Sequence, residues 1–187
     1  MQADFAVELG PDDETLDFPW VDETGRLQYY DLKRGPDLLG EVEEAQREPA
    51  LREFLTAINS APSILETAKC DVWPSTEINP EEEIFGGTHK FGSYVDLLFT
   101  SAQSRQDFSR HEDFARRLTG LLGKAPEIPA AAEFLIRRCY YCQSAPALSG
   151  FYITFYLFGY GNDEAEAHQQ WVIGMKLVEN AIRQTAK

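Results

Sequence analysis

Ser93-Tyr94-Val95-Asp96-Leu97-Leu98-Phe99 and Phe151-Tyr152-Ile153-Thr154-Phe155-Tyr156-Leu157 align without a gap, and their likeness sets the reading of the whole chain. Residues two apart match in character, the period of a strand whose two faces meet different surroundings. Val95, Leu97 and Phe99 align with Ile153, Phe155 and Leu157 as an inward set, while Tyr94 coincides with Tyr152 on the other face. Each strand then passes through a polar turn into a helical pattern. One pattern covers about 106–122, with Gly123 as its stop and Pro126 beyond; the other runs from about Asp163 to the end. With an offset shorter by one, His111-Glu112-Asp113-Phe114 meets His168-Gln169-Gln170-Trp171, and Leu118 meets Met175.

A further β-prone run with a cysteine near its centre precedes each unit, at 67–73 and 134–141. The three alanines after Pro129 also suit a helix over 129–141, but the aromatic and branched residues that follow favour a strand. The body is therefore predicted as two tandem β-β-α units, 66–123 and 131–186. They build an α+β fold of ferredoxin-like type, in which a four-stranded, mainly antiparallel sheet carries two helices on one face. The first helix presents Phe108, Phe114, Leu118 and Leu122 to the sheet, the second Trp171, Met175, Val178 and Ile182.

Charge is spread unevenly along the 187 residues. The formal net charge is -14, and residues 1–50 hold 14 acidic and 4 basic side chains. An acidic N-terminal segment, 1–62, is expected to pack on a nearly balanced body, 63–187, within one compact domain. Phe5, Val7 and Leu9 alternate with polar or small residues as in a half-exposed strand. A hairpin is expected over 17–30, and helices over 37–46 and from Pro49 to Ile58. The acidity argues against partners held through phosphate charge, which excludes nucleic acid and anionic membrane surfaces. There is no 18-residue apolar run, and the first residues lack a signal-peptide pattern. With three cysteines, an odd number, the chain is expected to be cytoplasmic with reduced thiols. Cys139-Tyr140-Tyr141-Cys142 has knuckle spacing but no second pair, and positions three apart on a strand face opposite ways, so buried structural thiols are expected.

Alternation puts Lys90, Tyr94, Asp96 and Leu98 on the face away from the helices, together with Tyr152, Thr154, Tyr156, Phe158 and Tyr160. So aromatic a face needs a cover. The cover is the N-terminal segment, a second subunit packed sheet to sheet in a homodimer, or a ligand. The insertion 74–90, far longer than its counterpart 143–150, brings Gly86-Gly87 and His89 to the border of this face. The expected function is a non-catalytic binding or interaction domain. A small molecule or protein partner would rest on His89, Lys90, Tyr94, Asp96, Arg138, Tyr152, Tyr156 and Tyr160. Two other readings stay open. One is an acidic protein that neutralises a basic partner in the manner of a toxin–immunity pair. The other is a metal- or carboxylate-dependent enzyme at 77–96, built on Glu81, Glu83, His89 and Asp96, with His111 and His168 as ligands if both lean toward one centre. No motif names a cofactor.

Overall fold

A computed structural model describes residues 1–142 and 146–185. The two look-alike strands form the centre of the sheet. β4 (His89–Phe99) and β6 (Leu148–Gly161) pair antiparallel, with Val95 opposite Phe155 and Tyr94 opposite Tyr156. β3 (Leu65–Ser75) flanks β4 and β5 (Ala130–Tyr141) flanks β6, both antiparallel. The stretch after Pro129 is thus a strand and not a helix. Its alternate residues Ala130, Ala132, Phe134 and Ile136 are buried in the core, a two-residue period that a helix would scatter.

The sheet is mixed and has six strands, not the four expected. β1 (Gln2–Val7) and β2 (Thr15–Phe18) run one after the other along the outer edge of β5, both parallel to it. A bare 12-residue β5 would expose a row of unpaired N–H and C=O groups, and the two short strands satisfy them. The expected hairpin over 17–30 is reduced to a single bridge between Val21 and Gln28. Leu16 and Phe18 instead reach almost complete burial beside β5, which a free-standing hairpin could not offer them.

α2 (Pro49–Ile58), α4 (Phe108–Leu122) and α5 (Glu164–Thr185) supply the buried helical residues that meet the inward strand set. Phe54, Phe114, Leu118, Trp171, Met175 and Val178 join Val95, Leu97, Phe99, Phe134, Phe155 and Leu157 in one cluster. Trp171 is fully buried, and its indole N–H donates to Ser93 Oγ at 2.8 Å. The helix expected over 37–46 breaks at Val42, whose backbone is extended, into a 3-10 helix Pro36–Glu41 and α1 (Glu43–Arg47). The helix expected over 106–122 starts two residues later as α4, where Asp107 caps it by accepting from the Arg110 N–H, and a short α3 (Ala102–Gln106) precedes it.

β3 is bulged between Thr67 and Cys70, so Cys70 lies opposite Val95, whereas the residue opposite Ile153 is Ile136. Cys70 packs with the helix-side core and Cys139 on the other face, so the two cysteines do not occupy matching places. Among the described residues no helix is long and apolar enough to cross a membrane.

Candidate functional site

The sheet face opposite the helices is covered at both ends by the chain itself and is less deeply buried between them. At one end the residues after β2 cross the face to β3. Phe18 is wholly buried against the rings of Tyr29 and Tyr141, and the Trp20 indole N–H donates to the Ala68 carbonyl at 2.8 Å. Leu98, Cys139 and Tyr152 lie buried in the same small cluster. At the other end the insertion forms a 3-10 helix, Pro80–Phe85, whose start is fixed by reciprocal bonds between Asn79 and Glu82. The Phe85 ring stacks on Tyr160 at 4.3 Å, and Glu82 accepts from the Tyr160 hydroxyl and the Lys90 ammonium, both at 2.9 Å.

Between these covers lie Trp73, Tyr94, Tyr156 and Phe158, all half-buried. Their ring centroids close a circuit: Trp73–Tyr94 6.4 Å, Tyr94–Tyr156 5.9 Å, Tyr156–Phe158 6.3 Å and Phe158–Trp73 6.2 Å. Gly92 makes the circuit possible. It stands between Trp73 and Phe158 in the sheet, and a methyl group there would meet the Trp73 ring at 2.8 Å.

Beside the rings a polar chain crosses three strands. Arg137 donates to Glu8 at 2.7 Å, to Glu14 at 2.8 Å and to Thr154 Oγ1 at 3.2 Å, and the Thr154 hydroxyl in turn donates to Asp96 at 2.8 Å. Burial pushes the Asp96 carboxyl up to about 7, opposed by the Thr154 bond and by Lys69 and Arg137. Among the described residues this carboxyl has no other hydrogen bond and no ion pair.

Tyr94 is also one wall of a cavity of about 480 Å³ at the β3 bulge. Trp20, Tyr30, Leu32, Val42 and Leu55 contribute apolar lining, and Glu41, Glu43, Glu44, Asp71, Lys69 and Arg26 contribute charge. A wider groove of about 890 Å³ lies between α2 and α5. There the buried Glu179 makes two ion pairs, with Lys176 at 2.9 Å and with Arg183 at 2.8 Å.

Of the residues singled out from the sequence, Tyr94 and Tyr156 come together at the open centre, and Asp96 lies buried on the same face. Tyr152 is buried under the crossing chain, and Tyr160 is buried with Phe85 stacked on it. Lys90 is tied to Glu82 and lies 5.4 Å above the Phe158 ring. Arg138 does not belong to this face. It is exposed and donates to the Leu9 carbonyl at 3.0 Å, while Arg137, the neighbour that alternation turns the other way, occupies the tyrosine side. His89 falls on the opposite face of β4 from Asp96. Seven residues apart at ~3.3 Å each, they are roughly 23 Å distant and form no joint site. Glu81 and Glu83 are exposed.

The remaining histidines do not share a centre either. His111 lies buried between the carbonyls of Asp107 (2.8 Å) and Phe151 (3.1 Å), and burial lowers its pKa. His168 meets Glu48 at 2.8 Å. Among the described residues no group of three or more His, Cys, Asp or Glu side chains is arranged to hold a metal ion. The cysteines are unpaired thiols, and burial pushes Cys139 up to about 12. Trp20, Trp73, Gly92 and Arg137 were missed from the sequence as site residues. Hairpin register would have brought Trp73 beside Gly92, but the bulge that sets this register has no signature in 67–75. Comparison of the chain with protein-family models, curated proteins and solved structures returns no match.

Proposed function

We propose that the protein binds a small molecule, without turnover, in the cleft where the bulge cavity and the four-ring slab meet at Tyr94. The closed circuit of Trp73, Tyr94, Tyr156 and Phe158, on a face whose ends alone are covered by the chain, carries this reading. Large rings gain from leaving water, and the chain brings these four only half-way. A flat ligand would complete their burial. The cavity of about 480 Å³ falls within the usual range for small-molecule sites, roughly 300–1,000 Å³. Its mixed lining of rings and a few charged groups is the pattern of a site that orients what it binds. The strand order β3-β4-β6-β5 supports an origin of the body in two copied β-β-α units. Unpaired thiols suit a reducing compartment such as the cytoplasm.

Thermal-shift screening against mono- and bicyclic aromatic fragments tests the proposal. A fragment held at about 100 times its Kd adds about 2.7 kcal/mol of stability, which for a chain of this size raises Tm by roughly 5–10 °C. Tyr156→Ala and Phe158→Ala are expected to remove that shift while still melting cooperatively. A wild-type Tm unmoved by every fragment, or a shift that both variants retain, would overturn the reading.

A further inference from the structure

We infer that the cleft selects an organic cation, an ammonium group carried on an apolar or aromatic body; this deepens the binding reading above and rests on it. Carboxylates outnumber cations in the charged lining of the cavity: Glu41, Glu43, Glu44 and Asp71 stand against Lys69 and Arg26, with Glu44 also 4.0 Å from Arg47. Their field falls on aromatic walls, the pairing that favours a cation through both net charge and ring quadrupole. The cavity already accommodates one such group. The Lys69 ammonium sits 5.1 Å from the centroid of the Trp20 ring, so this wall holds a positive nitrogen that no carboxylate among the described residues contacts directly.

The shared wall leads to the same conclusion. The Tyr94 hydroxyl is held in its protonated form first by burial, then by Asp96 once that carboxyl ionises, and by Asp71. It therefore remains a hydrogen-bond donor and acceptor in a region of negative potential. An anionic ligand would meet four carboxylates there. A neutral one would leave that field unused. Lys69 is the nearest competitor for the position, since its ammonium occupies the ring face that a ligand cation would take.

Three probes with the same phenyl body and different heads separate the possibilities: 2-phenylethylammonium, 2-phenylethanol and 3-phenylpropanoate, titrated calorimetrically at low and high salt. The ammonium is expected to bind best and to weaken with salt. Lys69→Met is expected to tighten it about five-fold, and Asp71→Asn to weaken it by about the same factor, the scale of one unit charge some 8 Å away at an effective dielectric of about 40. Lys69 is only half-buried, so the variant tests charge without opening the core. If the alcohol or the propanoate binds as well as the ammonium, or if Lys69→Met weakens the ammonium, the cation inference falls and the cleft stands. If none of the three binds at millimolar concentration, both fall.

Discussion

Gly159→Ala is expected to lose about 3 kcal/mol or more of stability, a fall in Tm of roughly 6–12 °C for a chain of this length. The added methyl would lie 2.2 Å from the backbone nitrogen of Trp171 and 2.4 Å from the carbonyl oxygen of Ala167. These are backbone atoms within α5, so no side-chain rotation relieves the overlap. The helix must lift from β6, and the fully buried Trp171 and Ala167 lose their packing with it. Gly120→Ala in α4 is the contrasting variant. Nothing lies within 4 Å of the methyl it would add, and removing a helical glycine favours folding by up to about 1 kcal/mol. Chemical denaturation of both variants gives the comparison. If Gly159→Ala unfolded within about 0.5 kcal/mol of the parent, α5 could not lie against β6 as described.

Asp96→Asn is expected to stabilise the protein at pH 8, and the gain should vanish toward pH 4. Burial holds the Asp96 carboxyl at about 7 in the folded chain against an ordinary 3.8. Below about pH 4 both folded and unfolded chains carry it protonated, and folding costs it nothing. As pH rises toward 7 the unfolded chain ionises it while the fold keeps the proton, so stability declines across that window. Above 7 the penalty is complete and on the order of 2–4 kcal/mol. Asparagine keeps an oxygen for the Thr154 hydroxyl and carries no charge. The measurement is the urea midpoint of both proteins from pH 4 to pH 8. Equal stability at pH 8, or a parent that is the more stable there, would show the carboxylate to be solvated or paired.

The two variants probe opposite faces of one sheet, and the faces differ in how much of them the sequence reveals. The inward face was legible because burial on one side of a strand imposes alternation along it. Val95, Leu97, Phe99, Ile153, Phe155 and Leu157 declare themselves in seven-residue windows and lie in the core. The helical stripes of 108–122 and 164–185 follow from the same local constraint at a longer period. The helix break at Val42 was missed because it depends on one residue's backbone angles, which composition barely marks.

The tyrosine face was legible only in part. Alternation shows which side Tyr94, Asp96 and Tyr156 take, but not which of the rings the chain will cover. Tyr152 and Tyr160 are closed off by Phe18, Trp20 and Phe85, residues far away in sequence. The choice between Arg137 and Arg138 needed the register of β5, which its pairing with β6 sets.

Local pattern, then, established an α+β chain with two strand-rich hairpins, their helices and the inward face of β4 and β6, because neighbours within a few positions enforce those periods. The tertiary structure decided the rest: the parallel β1 and β2 along β5, the bulge that turns Trp73 onto Gly92, and the crossing chain that leaves four rings in the open. Strand partners, registers and covers are settled by contacts between segments dozens of residues apart, where the free energy comes from surfaces that meet only after the chain has folded.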